Sequence, residues 1–74
     1  MITVTYNSDG IKVSVGHISK YNKNLPLKLN IKKHVSGDVQ WSSNLNDNWF
    51  ATYPNTEMFD VEILDSRGVI VYTK

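Results

Sequence analysis

Residues 2–15 read ITVTYNSDGIKVSV, and this stretch decides the fold class. Ile2, Val4 and Tyr6 alternate with threonines, and a second run after NSDG alternates apolar residues with Lys and Ser. Successive side chains of a strand project to opposite faces, so this period of two predicts two half-buried strands. The asparagine that opens NSDG and Gly10, which closes it, are typical of a tight antiparallel hairpin.

The same alternation recurs further along the chain. It is clear in LKLNI (27–31) and FDVEI (59–63), and weaker at 38–42, 49–53 and 69–72. In the last of these segments both the odd-numbered and the even-numbered positions are apolar, which is expected of a strand covered on both faces. No window has the apolar stripe and cap of an amphipathic helix, so we expect no helix longer than a single turn.

Turn-forming residues separate these candidate strands. DSRG (65–68) repeats the design of NSDG, which predicts a positive φ at both Gly10 and Gly68. The segments 19–25 and 44–48 are predicted to be longer loops, because they are polar and lack alternation.

About seven short strands at this spacing predict an all-β fold, a small antiparallel two-sheet sandwich of the immunoglobulin-like kind. A small five-stranded β-barrel is the alternative. Residues 1–74 are expected to form a single domain. Strand residues continue almost to Lys74, a pattern typical of a domain that belongs to a longer chain.

The composition of the chain indicates which binding partners and which cellular compartment to expect. The 74 residues carry a net charge of +1, which disfavours nucleic acid, and no apolar run is long enough to span a membrane. The absence of cysteine favours the cytoplasm, with a secreted protein or a virion of phage or bacterial origin as alternatives. A domain this small without disulfides often gains stability from a partner surface, so a homo-oligomer is one expectation.

Residues for catalysis are sparse. There is no cysteine nucleophile, no glycine-rich phosphate loop and no spacing of metal ligands, so we expect neither an enzyme nor a bound metal or cofactor. His17 and His34 are predicted to lie at strand ends, exposed and without structural partners. Asp60 and Glu62 alternate with apolar residues and are predicted to face solvent.

The aromatic residues between positions 41 and 53 are the strongest functional signal. Trp49 and Phe50 are neighbours on one predicted strand, so their rings must point to opposite faces. Three interpretations remain open for the rings: core packing, a protein interface, and stacking against a sugar. The candidate binding residues are Trp41, Asn46, Asp47, Asn48, Trp49 and Tyr53. For a glycan, Trp49 or Tyr53 would stack on the sugar and residues 46–48 would contact its hydroxyls.

The stretch WFATYPNTEMFDVEILDSRGVIVY (49–72) resembles the closing hairpin of immunoglobulin-like and fibronectin-III-like accessory domains. The shared pattern, v-x-I-x-D-x-x-G-x-v-v-Y, runs from Val61 to Tyr72. Such modules accompany catalytic domains of bacterial and phage glycosyltransferases and occur in adhesins. The resemblance implies a non-catalytic binding or accessory module, which either binds carbohydrate or is attached to a carbohydrate-active enzyme. The alternative is a structural assembly domain that uses the same aromatic surface for protein–protein contact.

Overall fold

The computed structural model describes residues 2–54 and 58–74. The elements in this part of the chain are β1 (Ile2–Asn7), β2 (Gly10–Gly16), α1 (Ile18–Tyr21), β3 (Leu27–Lys33), β4 (Val39–Leu45), β5 (Asn48–Tyr53), β6 (Phe59–Leu64) and β7 (Ile70–Thr73). α1 has 4 residues, so the expectation of at most one helical turn is confirmed for the described residues. No helix among them is long and apolar enough to cross a membrane.

The strands form two separate antiparallel sheets. The first has three strands in the order β1-β2-β5, and the second has four in the order β4-β3-β6-β7. No strand of the described chain pairs with a strand of the other sheet, so the sheets stay open at their edges. The two-sheet sandwich is therefore confirmed, and the alternative of a small five-stranded barrel is wrong.

The core lies between the sheets and contains the alternating residues that the sequence pattern predicts. One row across the first sheet is Val4, Val13 and Ala51, on β1, β2 and β5. Burying an aliphatic side chain contributes about 1.5–3 kcal/mol, so the core cluster is the main source of stability. Its buried members are Val4, Ile11, Val13, Val15, Ile18, Leu27, Leu29, Ile31, Leu45, Val61 and Ile63.

The polar strand β4 departs from the prediction. The sequence predicted a strand at 38–42 and a loop at 44–48, but β4 spans Val39–Leu45 and Asn48 already begins β5. Leu45 is buried in the core. β4 is an edge strand, and one of its sides faces solvent. Serine and asparagine lower the stability of the strand little on that side, so the low hydrophobicity of the segment did not prevent it from forming a strand.

Both predicted glycine turns are confirmed. φ is 144° at Gly10 and 83° at Gly68. The N–H of Gly68 donates to the carbonyl of Asp65 at 3.0 Å. In the first turn the amide oxygen of Asn7 accepts a hydrogen bond from the N–H of Asp9 at 2.9 Å. Each turn is thus opened by a side chain that can accept from the backbone and closed by a glycine.

Tyr6 and Lys74 join the two sheets along one edge of the sandwich. The Tyr6 hydroxyl lies 3.1 Å from the carbonyl oxygen of Phe59 and 3.2 Å from that of Lys74. The ammonium of Lys74 donates in turn to the carbonyl of Val4 on β1, at 3.0 Å. Burial, and secondarily the negative charge of Asp60, raises the pKa of Tyr6 above its ordinary value.

Candidate functional site

Three of the predicted binding rings meet at the other edge of the sandwich. Trp41 on β4 stacks near Trp49 on β5, with ring centroids 6.4 Å apart, and lies 6.3 Å from Tyr53. Tyr53 meets Phe59 edge to face at 5.5 Å. All four are partly buried against the core. The rings therefore bridge the gap between β4 and β5, which gives each of them a packing role.

The ring that points away from the core is Phe50. β5 alternates strictly, so Trp49 and Tyr53 face inward and are partly buried, whereas Phe50 faces outward. Its side chain is 66% exposed. The prediction that the rings of Trp49 and Phe50 point to opposite faces is confirmed, and Phe50 is the ring on the surface.

Phe50 lies on a polar face built from all three strands of the first sheet. Ser14 of β2 pairs with Phe50 on one side and with Thr3 of β1 on the other. The adjacent row is Thr5, Lys12 and Thr52. These six side chains, which we call the Phe50 face, are all exposed. They present one aromatic ring, four hydroxyls and one ammonium to solvent.

Asp47, one of the predicted contacts to a ligand, holds α1 in place. Its carboxylate accepts hydrogen bonds from the N–H and the hydroxyl of Ser19, at 2.8 and 2.7 Å. Ser19 lies in the first turn of α1, where N–H groups have no partner within the helix, and the N-cap residue His17 supplies no side-chain bond. The bonds from Ser19 hold the pKa of Asp47 below its ordinary value. Asn46 and Asn48 are exposed on either side of it.

Both histidines lie just beyond strand ends, as predicted. His17 follows β2, and His34 follows β3. The prediction that both lack structural partners is wrong for His34, because its Nδ1 lies 2.8 Å from Oδ2 of Asp60. This contact ties the turn after β3 to the start of β6.

A shallow depression of about 330 Å³ lies on the second sheet beside β7. Its charged residues are paired within the protein. The carboxylate of Glu62 accepts from the amide of Asn30 and from the ammonium of Lys32, both at 3.3 Å. Asp60 contacts His34. Because these carboxylates already have partners within the protein, the depression is a less favourable ligand-binding site than the Phe50 face. It is lined by Lys32, Asp60, Val61, Glu62, Thr73 and Lys74.

Comparisons with protein families, with curated proteins and with solved structures find no match for this chain. In residues 2–54 and 58–74 no group of three or more His, Asp or Glu side chains is placed to hold a metal ion. The candidate site therefore rests on the geometry of the chain itself.

The structure separates the six predicted binding residues into two groups. The rings of Trp41, Trp49 and Tyr53 come together at the edge between the sheets, while 46–48 surround the turn that anchors α1. Their binding role stays a prediction. The hydroxyl-bearing part of the Phe50 face was missed, because it depends on pairing between β2 and β5, which are distant in sequence.

Proposed function

We propose that the chain is a non-catalytic carbohydrate-binding module and that the Phe50 face is its contact surface. The observation that carries this proposal is the 66% exposure of Phe50 in the middle of a regular strand. Apolar surface of this size is unfavourable in water. A ligand that covers the ring would remove that cost, and none of the core packing depends on the ring.

The neighbours of Phe50 favour a sugar over an apolar ligand. Thr3 and Ser14 extend the Phe50 row as hydroxyl groups, each of which can both donate and accept a hydrogen bond. A sugar ring offers C–H groups to an aromatic face and hydroxyls at its rim, so it matches both parts of the surface. Lys12 is the one charged side chain of the Phe50 face. This charge suits a neutral or weakly acidic saccharide.

The shape of the surface favours an extended ligand. Neighbouring strands lie about 4.8 Å apart and residues of one face repeat about every 7 Å, so the Phe50 face measures roughly 10 Å across its three strands. It is part of a sheet surface rather than a cleft. A polysaccharide chain lying along the sheet can contact more of this surface than a single small ring.

The architecture is compatible with the proposed kinship with fibronectin-III-like modules. Those modules are antiparallel two-sheet sandwiches, and this chain has two antiparallel sheets, β1-β2-β5 and β4-β3-β6-β7. Accessory modules of this kind place a binding surface beside a catalytic domain. We therefore propose that the chain serves a carbohydrate-active enzyme as its accessory module.

Phe50→Ala tests the proposed surface. The wild type and the variant are run on affinity gels containing β-glucan, xylan, mannan or galactan, followed by calorimetry with oligosaccharides of the polysaccharide that retards the wild type. We expect Phe50→Ala to weaken binding by about tenfold or more, and Phe50→Trp to retain it. Val35→Ala, at an 83% exposed position outside the Phe50 face, is the matched control and should bind as the wild type does.

Stability must be measured on the same samples. A surface change such as Phe50→Ala should alter the free energy of unfolding by no more than about 0.5 kcal/mol. Equal retardation of the wild type and Phe50→Ala would place the site elsewhere. If no polysaccharide is bound, while Phe50→Ala removes binding to a protein, the ligand is a protein partner, which aromatic anchors also serve.

A further inference from the structure

The Phe50 face carries one charge, and that charge is unpaired in the described part of the chain. Lys12 is exposed on β2, the middle strand of the three-stranded sheet. Its neighbours on the adjacent strands are Thr5 of β1 and Thr52 of β5. The ammonium of Lys12 takes part in none of the ion pairs or side-chain hydrogen bonds of the described residues. It therefore remains available to a group from outside the chain.

The outer face of the four-stranded sheet pairs its central lysine with carboxylates. Lys32 of β3 lies opposite Asp60 of β6, and its ammonium donates to the carboxylate of Glu62 at 3.3 Å. Opposite charges on adjacent strands stabilise a sheet through such contacts. The Phe50 face instead surrounds its lysine with hydroxyls and has no carboxylate among its six side chains. An anionic group on the ligand would complement this face.

Lys12 lies close enough to Phe50 to contact the same ligand. Phe50 pairs with Ser14, and Lys12 is the neighbouring residue of β2 on the same face. Residues placed diagonally on adjacent antiparallel strands are about 7–8 Å apart, a distance that long side chains span. The ammonium stands at the end of a flexible four-carbon stem. It can therefore meet a carboxylate on the sugar that stacks on Phe50, or on the next sugar of the chain.

We propose that the saccharide bound by the Phe50 face contains a uronic acid, and that the carboxylate of this sugar pairs with the ammonium of Lys12. The inference rests on the proposed carbohydrate-binding function and specifies the class of ligand. The ring of Phe50 contacts C–H groups of a sugar, and the serine and threonine hydroxyls contact its hydroxyls. Lys12 is then the residue that determines specificity for an acidic saccharide over a neutral one.

A single lysine suits a polysaccharide whose carboxylates are widely spaced. Binding of a chain with a charge on every sugar is typical of clusters of basic side chains. The other five side chains of the Phe50 face are uncharged, and the whole chain has a net charge of only +1. We therefore expect a polymer in which uronic acids branch from, or alternate with, neutral sugars, as in a glucuronoxylan.

A matched pair of ligands tests the charge contact. Affinity gels contain either glucuronoxylan or the same polymer after its carboxyl groups have been reduced to alcohols, and retardation is measured against a gel without polysaccharide. Because an exposed ion pair contributes modestly, we expect the wild type to bind the acidic form about two- to fivefold more tightly. Added NaCl should reduce this preference, since salt screens exposed charges. Polygalacturonate, with a carboxylate on every sugar, should bind no more tightly than glucuronoxylan.

Substitutions of lysine then locate the contact. Lys12→Met should bind both forms as the wild type binds the reduced form, because methionine keeps an extended side chain and removes the charge. Lys12→Arg should keep the preference for the acidic form. Lys28→Met is the matched control, since it removes one positive charge from an exposed position of β3 on the other sheet. It should retain the preference of the wild type.

The outcomes distinguish a failure of this inference from a failure of the proposed function. Equal binding of both forms by the wild type overturns the role of Lys12 and leaves carbohydrate binding in place, and this comparison does not depend on the folding of any variant. A preference that survives in Lys12→Met, or is lost equally in Lys28→Met, also overturns it. Tighter binding of polygalacturonate contradicts the expected spacing of carboxylates. Binding of the reduced form that Phe50→Ala abolishes supports the proposed function by itself, whereas no binding of any polysaccharide overturns both.

Discussion

Gly10→Ala should destabilise the protein far more than Gly68→Ala, although both glycines have positive φ. An alanine in such a conformation costs about 1 kcal/mol at either position. Around Gly68 nothing lies within 4 Å of an added Cβ, so this strain is the whole cost. An added Cβ at Gly10 would overlap the carbonyl oxygen of Tyr53 and lie 3.1 Å from Cα of Pro54.

The overlap at Gly10 cannot be relieved by a side-chain rotation, because the obstructing atoms belong to the backbone of β5 and the residue after it. β2 and β5 would have to separate near the Ile11–Tyr53 pair. Each ladder hydrogen bond lost there costs about 1 kcal/mol, so strain and one or two lost bonds give about 3 kcal/mol for Gly10→Ala. At 0.05–0.15 kcal/mol per residue the whole domain has about 4–11 kcal/mol, so this variant is marginal.

Urea unfolding followed by tryptophan fluorescence measures the difference. Trp41 and Trp49 stand on opposite sheets with ring centroids 6.4 Å apart, so their emission reports the separation of the sheets. Gly37→Ala is the control, since φ is 76° there and an added Cβ has open space. We expect its loss to match that of Gly68→Ala. Equal losses at Gly10 and Gly68 would refute the steric argument, and a loss near 3 kcal/mol at Gly37 would refute the estimate of strain.

Acid should weaken the fold through Asp65, because the hydrogen bond from Arg67 holds the pKa of this carboxyl below its ordinary 3.8. The contribution of Asp65 to the free energy of unfolding is complete above pH 3.8 and is lost as the pH falls through the lower pKa of the folded state. Asp65→Asn should therefore reduce the change with pH of the free energy of unfolding, measured in urea, over that range. An unchanged pH dependence would contradict this argument. Tyr6→Phe should lower the free energy of unfolding in urea by about 1 kcal/mol, because it removes the hydrogen bond from the Tyr6 hydroxyl to the carbonyl of Phe59. Since the pKa of Tyr6 is raised in the folded protein, the wild type should lose stability above pH 10, and the variant should not. An equal loss in both proteins above pH 10 would contradict a role for the Tyr6 hydroxyl in joining the sheets. Leu29→Ala, at a position with 0% exposure, should lower stability by about 2–5 kcal/mol in thermal unfolding, and a near-neutral result would contradict the core assignment.

Much of the fold could be predicted because its signals are local. The alternation in 2–15 and the Asn7-to-Gly10 turn specify one hairpin, including its register, without reference to the rest of the chain. β4 was bounded wrongly, since its serines and asparagines carry no strand signal of their own. Its strand state depends on pairing with β3 and on the burial of Leu45, which are contacts between distant residues.

The candidate site could be predicted only in part, for the same reason. Neighbouring positions on a strand must face opposite ways, so Trp49 and Phe50 had to be divided between inside and outside. Which of them faced inward depended on the second sheet, where Trp41 offers a stacking partner. Asp47 was predicted to contact a ligand, and its bond to Ser19 forms across 28 positions of sequence.

The sequence by itself determined the period of two, the glycine turns and the near-neutral charge, because each of these is a property of adjacent residues or of the sum over all of them. Tertiary structure decided which edge Trp41, Trp49 and Tyr53 would close, that Phe50 would share a face with Thr3 and Ser14, and that β7 would be left at an open edge. These outcomes follow from the order in which the strands pair, and strand order is set by burial and hydrogen bonding between segments that are far apart in the chain.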